Sequence, residues 1–366
     1  MFIYYIMIFL WAFRAVQINI KGESLRNYYQ KKYYAMYAGG ILILVMGLKK
    51  YTVGCDWEQY LYIYNDLVPS MSWNDIWESG RSGFYILNVL FDNFEIGNQG
   101  YIFIVAVLLS VGFVFFFKNY SDNLFLSLYL HVTIGMFTMS MSGIRQSFAV
   151  VLTLLSYYCL KEKRYVVSVL LTLFATTFHT SARVFVVSYL VYFLCRKYQA
   201  SFRRCLMLWF LTASSLLYRG ALAPIIARFS PNEYVEKIEF LTESYPINPI
   251  LIVIALAIPL TCLLCRQYLG ERMGSINRDI FFEFYIFSCI YAFCSVLSLN
   301  SNLLGRVGYY FQCFSLVLIA NTVSAVKDTR NRSIAYMAAF ILPMIQFAMS
   351  TPGGTLRIDN YQFFWQ

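Results

Sequence analysis

The chain has 366 residues, of which 59% are hydrophobic and only 13% are charged. Soluble domains carry about 25% charged residues, because their surfaces must present polar groups to water. This composition excludes a soluble fold and indicates an integral membrane protein. The net charge of +10 does not predict a nucleic-acid partner, because membrane proteins collect basic residues on the cytoplasmic side of the bilayer.

The apolar segments predict an all-α polytopic membrane protein with about twelve transmembrane helices, since a helix needs about 20 apolar residues to cross a bilayer. The N-terminal run is predicted to be a retained span, because its basic residues, Arg14 and Lys21, follow the apolar segment instead of preceding it. The predicted spans lie near residues 1–19, 33–48, 100–117, 123–141, 146–160, 165–179, 184–195, 205–220, 250–265, 280–298, 307–326 and 333–350.

Placing the N-terminus outside puts most basic residues in the inner loops, as the distribution rule for Lys and Arg requires. Both termini are then on the non-cytoplasmic side, and residues 1–366 are predicted to form a single transmembrane domain. Two outer segments are long, at 49–99 and 221–249. The first contains SGFYILNVLFDNF, which predicts an interfacial or re-entrant helix, and the second predicts a short amphipathic helix.

Neither metal nor cofactor chemistry has a recognisable motif in the sequence. Of the nine cysteines only Cys55 falls in an outer loop, so no disulfide framework is predicted. The two histidines, His131 and His179, are isolated from each other and from other ligands, and we predict no metal site. Phosphate-binding Gly-rich loops and hydrolase motifs are absent from the sequence, and no cofactor is predicted.

Arg145 lies in MSMSGIRQSFAVV, between one predicted span and the next, directly after Ile144 and Gly143. A glycine permits a tight turn, and an arginine offers a planar set of donors that fits phosphate or carboxylate. The following helix directs its free N–H groups to the same place. The pattern favours an anion site; the alternative is an interface anchor or an ion pair.

His179 and Arg183 lie in TTFHTSARVF at the next outer turn, four residues apart, so they share a face if this stretch is helical. They would bind phosphate oxygens or move a proton, or else cap a helical hairpin. Arg306, in NSNLLGRVGYYF, also follows a glycine at the outer start of a helix. If the three arginines are neighbours, they would surround a doubly charged anion.

The first long outer segment begins KKYTVGCDWEQY. Its carboxylates, Asp56 and Glu58, and its aromatic residues, including Tyr51 and Trp57, are a combination that binds sugars, and a carboxylate there can act as a base. The alternative is ordinary loop chemistry with aromatic residues of the membrane interface.

Four motifs, YTVGCDWEQY, SGIRQSFAVV, FHTSA and GRVGYYF, occur in this order along the chain. In this the chain resembles the EpsG-type bacterial polysaccharide polymerases, which belong with the Wzy O-antigen and exopolysaccharide polymerases. The resemblance covers most of the chain. Its residues carry over to the following positions: Arg145, Gln146, His179 and Arg306, with Tyr51, Gly54 and Asp56 in the outer-loop motif.

The resemblance implies a multi-pass inner-membrane enzyme whose active site faces the periplasm. Such an enzyme transfers a growing glycan from one undecaprenyl-diphosphate carrier to the non-reducing sugar of the next lipid-linked unit. A chain-length regulator is the implied protein partner. Catalytic roles are expected for Arg145, His179, Arg306 and Asp56, and substrate binding for Gln146, Arg183, Tyr51, Glu58 and Trp57.

Three other functions compete with the polymerase. An O-antigen ligase uses the same donor with a lipid A-core acceptor. A flippase or transporter would place functional charges at the bilayer midplane and show internal symmetry, whereas here the charges cluster at one surface. A membrane acyltransferase would need a catalytic histidine on the cytoplasmic side, which the outer position of His179 disfavours.

Overall fold

The computed structural model of the protein describes residues 1–20, 28–228, 249–269, 275–299, 302–354 and 356–366. The protein is 83% helical. In the described ranges we find no strand, only an isolated antiparallel bridge between Lys49 and Phe363. The prediction of an all-α membrane protein is confirmed at this level.

Helices occur at all twelve segments that the sequence analysis predicts as spans. Among the described residues, five of them are long and apolar enough to cross a membrane, and a bent pair of shorter helices makes a sixth. The number of twelve crossings therefore stays a prediction. The five helical segments are Phe2–Asn19, Asn98–Tyr120, Ile280–Leu297, Gly305–Ala325 and Thr329–Ser350.

The chain divides into two compact units. The first comprises Met1–Arg183 together with Ala338–Gln366, and the second comprises Val184–Met337. The prediction of a single transmembrane domain is not tested by this division, which concerns only how densely the helices pack.

The first unit contains eleven α-helices that lie wholly within its described residues. They are α1 (Phe2–Ile20), α2 (Tyr28–Gly47), α3 (Trp57–Tyr62), α4 (Val68–Ser70), α5 (Trp73–Glu78), α6 (Ser82–Asn93), α7 (Asn98–Tyr120), α8 (Leu124–Thr133), α9 (Met136–Ser142), α10 (Ile144–Lys161) and α11 (Tyr165–Phe178). A π-helical turn, Ile63–Leu67, connects α3 to α4.

Small and hydroxyl residues let the long helices of this unit approach closely. A Cβ at Gly112 on α7 would lie 2.2 Å from Val151 on α10, so only glycine fits there. Helices α10 and α11 form an antiparallel hairpin, in which the Ser156 hydroxyl lies 2.9 Å from the Ser168 hydroxyl. Such contacts are how membrane helices associate without a hydrophobic driving force.

The predicted span at 123–141 is not one continuous helix. Helices α8 and α9 meet at an angle of 58°, and Gly135 between them has φ +98°, a conformation that ends a helix and favours glycine. The Thr138 hydroxyl donates to the Gly135 carbonyl at 2.7 Å and satisfies it at the break. The break in the predicted span therefore has a local cause, the left-handed conformation of Gly135, which the apolar pattern of the sequence does not reveal.

The first long outer segment is folded into short helices. The sequence SGFYILNVLFDNF forms α6, as predicted for a helix in that position. This helix packs on α11 so tightly that a Cβ at Gly83 would lie 2.1 Å from the Thr177 hydroxyl. The 49–99 segment is thereby fixed to the same end of the unit as the end of α11.

The second unit contains helices α12 (Val187–Lys197), α13 (Phe202–Arg228), α14 (Pro249–Leu269), α15 (Ser275–Leu297) and α16 (Asn302–Ala325). Helices α15 and α16 pack through aromatic residues, with the Phe287 and Phe314 ring centroids 4.5 Å apart. Helix α13 continues to Arg228, so residues 221–228 are helical and the predicted 221–249 loop begins too early. The amphipathic helix predicted within 229–248 lies outside the described residues.

A last helix, α17 (Thr329–Ser350), begins in the second unit and ends in the first. Within the first unit, its Phe340 stacks on Tyr129 of α8 with ring centroids 4.4 Å apart. The residues after α17 form the C-terminal tail, here residues 351–366, which belongs to the first unit.

Candidate functional site

The start of the outer segment is pressed against the junction between α9 and α10. Gly54 has φ +104°, and a Cβ at this position would lie 2.3 Å from the Met141 carbonyl oxygen. The Trp57 indole donates to the same oxygen at 2.7 Å. Because Met141 is in the last turn of α9, its carbonyl needs a donor from outside the helix, and Trp57 supplies it.

Lys49 holds the turn at Gly54 in place from within the protein. It is 1% exposed, its ammonium group donates to the Val53 carbonyl, and it lies 4.3 Å from the centroid of the Trp57 ring. Burial lowers the pKa of Lys49 well below its usual range. Lys49 therefore has a structural role, which places Trp57 and the Gly54 turn against α9.

The C-terminal tail covers the outer face of the same loop. Backbone N–H groups of the loop donate to tail carbonyls: Gly54 to Arg357 at 3.1 Å, Cys55 to Leu356 at 3.2 Å and Lys50 to Gln362 at 2.9 Å. The loop is thus held between the tail and the α9–α10 junction. We call residues 49–60 the outer loop motif.

Arg145 lies at the opposite side of this motif, as the second residue of α10. It is partly buried, and its Nε atom is buried without a hydrogen-bond partner in the described part of the chain. The Tyr60 hydroxyl of α3 faces both the guanidinium and the backbone N–H of Arg145. The structure thus brings the start of α10 and the outer loop motif together, as an anion site there requires.

The electrostatics of Tyr60 reflect this position. Burial raises the pKa of Tyr60 to about 12, and the positive charge of Arg145 opposes that rise while Asp56 adds to it. The phenol is therefore protonated at neutral pH and orients the arginine through its neutral dipole.

Asp56 and Cys55 complete the polar surroundings. Asp56 is partly buried at the start of α3, and the Cys55 thiol lies 3.3 Å from its carboxylate and 2.9 Å from the Ser142 hydroxyl. Burial raises the pKa of the Cys55 thiol, so the neutral form is favoured. A carboxylate, a guanidinium and a helix N-terminus therefore surround one small region of the first unit.

Gly143 forms a tight turn between α9 and α10. Its φ of −82° and ψ of +67° are those of an inverse γ-turn, which other residues can also adopt. A Cβ at Gly143 would lie 2.5 Å from the Met139 methyl group, so the Met139 side chain would have to shift. The predicted turn is therefore present, and the missing side chain at Gly143 leaves space for Met139.

His179 lies at the same end of the α10–α11 hairpin as Arg145. It directly follows α11 in an extended conformation, and its Nδ1 is 2.6 Å from the Ser181 hydroxyl. The preceding Phe178 packs on Phe148 of α10, one turn from Arg145, with ring centroids 5.4 Å apart.

Arg183 does not share an α-helical face with His179, because Thr180–Val186 is a 3₁₀ helix and His179 precedes it. The premise of that pairing is therefore wrong, and the Arg183 side chain is exposed. Arg306 was expected at the start of a helix, but α16 begins at Asn302 and Arg306 is its fifth residue. It belongs to the second unit, so a cluster of three arginines stays a prediction.

The remaining predicted residues differ in exposure. Trp57 and Gln146 are buried at 2% and 3%, so Trp57 is a packing residue whose ring is closed to a sugar. Glu58 is exposed in the first turn of α3, and Tyr51 is 43% exposed. Residues that the sequence analysis does not place in the site are Lys49, Ser142 and Met141. The tail docks from the far end of the chain, and no local pattern announces it.

Among the described residues, no group of three or more His, Cys, Asp or Glu residues is placed to hold a metal ion. The cationic character of the region therefore comes from Arg145 and the N–H groups of α10, supported by a polar loop.

The fold and this site define a helical membrane protein that presents an arginine-based polar site at one end of a helical hairpin. A family model for the EpsG family matches residues 32–363 of the chain, and the protein belongs to the EpsG family. The match includes every part of the site, from the outer loop motif to the tail as far as Phe363. No curated protein and no solved structure matches the chain.

Proposed function

We propose that the protein is a polysaccharide polymerase of the bacterial inner membrane. It transfers a growing glycan from one undecaprenyl-diphosphate carrier to the non-reducing sugar of the next lipid-linked unit. The observation that carries the proposal is the placement of Arg145 at the start of α10 against the outer loop motif. Membership of the EpsG family supports the same class of reaction.

The chemistry of the donor explains why an arginine is needed. The leaving group is a lipid diphosphate, whose negative charge increases as the sugar–phosphate bond breaks. A fixed guanidinium and the N–H groups of a helix start stabilise that charge more in the transition state than in the ground state. Tyr60 and the packing of α3 hold the guanidinium in place, so little reorganisation is required.

The acceptor hydroxyl must lose a proton as it attacks. Asp56 and His179 lie at the same end of the first unit as Arg145 and are the candidate bases, with the exposed Glu58 as a third. A base within reach of the attacking hydroxyl typically contributes 10²–10⁴-fold to the rate. Arg183 and Gln146 would bind the substrate, and Arg306 is proposed as a further catalytic cation.

In this proposal about twelve spans place both termini and the site on the periplasmic side, where a flippase delivers the substrate. A chain-length regulator is the expected protein partner, and neither a metal nor a cofactor is required. A ligase that uses the same donor is the second candidate, since Arg145 would serve the same leaving group. A flippase is a third, which requires no transfer chemistry at Arg145.

The test uses a strain that lacks the gene, complemented with wild type, Arg145→Ala, Arg145→Lys or Arg81→Ala at equal membrane levels. Loss of charge-assisted hydrogen bonds of about 1.5–3 kcal/mol slows the transfer roughly 10- to 150-fold. We expect Arg145→Ala to leave single repeats on a polysaccharide gel, with Arg145→Lys intermediate because it keeps charge but loses the planar donors.

Arg81 is the matched control, since it is an exposed cation of the same outer segment, and Arg81→Ala should restore the full ladder. A ladder restored by Arg145→Ala would remove Arg145 from the reaction. Deletion that abolishes attachment of preformed polymer would indicate a ligase, and deletion that leaves lipid-linked units on the inner leaflet would indicate a flippase.

A further inference from the structure

A cavity of about 190 Å³ opens beside the outer loop motif. It is formed by three parts of the first unit: the outer loop motif, the first turns of α7 and the C-terminal tail. The side chains that matter are Lys50, Tyr51, Leu61, Asn98, Gln99 and Phe364. At roughly 10–15 Å³ of such volume for each water molecule, the space holds on the order of 15 waters, which is room for one small ring.

The walls of the cavity combine two aromatic rings with a few polar groups. Tyr51 and Phe364 are 43% and 45% exposed, so their faces are open to a ligand. Lys50, Asn98 and Gln99 provide an ammonium group and two amides, which donate and accept hydrogen bonds. Apolar surface with a few convergent polar groups is the usual composition of a small-molecule site.

These walls are fixed by the fold. The Gln99 amide donates to the Gly47 carbonyl at 2.6 Å, and the Phe364 backbone N–H donates to the Leu48 carbonyl at 2.9 Å. The Lys50 backbone N–H donates to the Gln362 carbonyl at 2.9 Å. The cavity is therefore preformed, which lowers the entropy cost of binding.

We propose that this cavity is a glycan subsite that binds one sugar residue of the lipid-linked substrate, with Tyr51 and Phe364 against the ring and Lys50, Asn98 and Gln99 on its hydroxyls. The inference rests on the proposed function and extends it to substrate recognition. A sugar ring has apolar C–H faces and a polar rim, which matches two aromatic faces and three hydrogen-bonding side chains. A carboxylate does not line the cavity, so a sugar that carries an acidic group is also accepted beside Lys50.

The subsite and the arginine site share the outer loop motif. Lys50 follows the buried Lys49, and Leu61 follows Tyr60, which faces Arg145. A sugar bound at Tyr51 would therefore contact the outer loop motif, whose Tyr60 positions Arg145. We expect the subsite to determine how long a glycan is retained between transfers, while Arg145 determines whether transfer occurs.

The test measures binding without turnover. Fragments released by mild acid from the polysaccharide of the source strain are mixed with the purified full-length protein in detergent, and saturation-transfer NMR records the contact. We expect wild type and Tyr51→Phe to bind, because the phenylalanine keeps the ring face. We expect Tyr51→Leu and Phe364→Leu to bind about tenfold more weakly, since each removes an aromatic face.

Equal binding by wild type and both leucine variants, or no binding by any of them, would overturn the subsite. Competition by inorganic phosphate alone, or by vesicles of phosphatidylglycerol but not phosphatidylcholine, would overturn it in favour of a phosphate or a lipid headgroup site at Lys50. Failure of the proposed function has a different result, since Arg145→Ala would then leave the polysaccharide ladder unchanged whatever the fragments do.

In cells, the leucine variants should shorten the ladder without reducing it to single repeats. Unchanged chain length in both leucine variants would contradict the role in retention.

Discussion

Two side chains of the first unit that carry buried nitrogen atoms, Arg145 and His131, have opposite surroundings. In the described part of the chain, the Arg145 Nε and both ring nitrogens of His131 are buried without hydrogen-bond partners. Arg145 faces the Tyr60 hydroxyl and lies beside a polar loop. His131 instead packs among Phe113, Phe117 and Phe137, with its ring centroid 4.6, 5.4 and 6.4 Å from theirs.

The difference between the two surroundings shows how to distinguish a residue of a binding site from a residue that only packs. An unsatisfied polar atom costs free energy wherever it is buried. Around Arg145 the fold adds hydroxyl, thiol and carboxylate groups from a separate segment, which is consistent with a substrate that completes the set. Around His131 the ring contacts are with phenylalanines, and within the described residues neither ring nitrogen has a hydrogen-bond partner.

The largest expected effect is at the contact that joins the outer loop motif to the α9–α10 junction. Gly54→Ala would place a methyl group 2.3 Å from the Met141 carbonyl at φ +104°. We expect a loss of about 2–4 kcal/mol in stability and of the polysaccharide ladder, because the turn must move away from Arg145. Thermal unfolding in detergent and the gel measure the two effects.

Gly40 is the matched control for this substitution. It lies inside α2, and a Cβ there meets nothing within 4 Å. Gly40→Ala should be neutral or stabilise the protein by about 0.4–1 kcal/mol. Wild-type stability and a full ladder in Gly54→Ala would mean that the outer loop motif is not fixed against Met141.

An intermediate effect is expected at Lys49, and it depends on pH. Burial lowers the pKa of Lys49 in the folded state, so the unfolded state binds more protons between the folded and unfolded pKa values. Stability therefore rises with pH in that window and is lost as the pH falls toward the folded pKa. We expect wild type to gain thermal stability from about pH 7 to about pH 10, and Lys49→Met to lose that gain.

Lys50→Met is the matched control, because it also removes one lysine but at a position that is only partly buried. Parallel profiles for wild type and Lys49→Met would show that Lys49 does not titrate in this window and would remove its assigned role.

The sequence allowed some of this contrast to be predicted. A glycine before an arginine at the start of an amphipathic helix indicates an anion site, and the positions of α10 and α11 follow from apolar periodicity. The sequence could not separate Arg145 from His131 by burial alone. That separation depends on which distant segments pack beside each residue.

Other features depend on contacts that no local pattern encodes. Trp57 was expected to bind sugar because aromatic residues near carboxylates often do. In the structure its indole N–H donates to the Met141 carbonyl. The tail contacts Gly54 although about 300 residues of sequence separate them, since the Gly54 N–H donates to the Arg357 carbonyl. The helical pairing of His179 with Arg183 failed because a single extended residue and a 3₁₀ turn replaced the α-helix.

The smallest effect is expected at His131. His131→Leu removes two unsatisfied ring nitrogens and keeps a side chain of similar volume among the phenylalanines, so the polar penalty and the packing change oppose each other. We expect thermal stability within about 1 kcal/mol of wild type and an unchanged polysaccharide ladder. His131→Ala, which leaves a cavity among the same phenylalanines, should lower the free energy of unfolding by about 2–5 kcal/mol. A ladder lost in His131→Leu while the protein stays stable would give His131 a role in the reaction. The surroundings of a buried polar atom would then no longer distinguish Arg145 from His131.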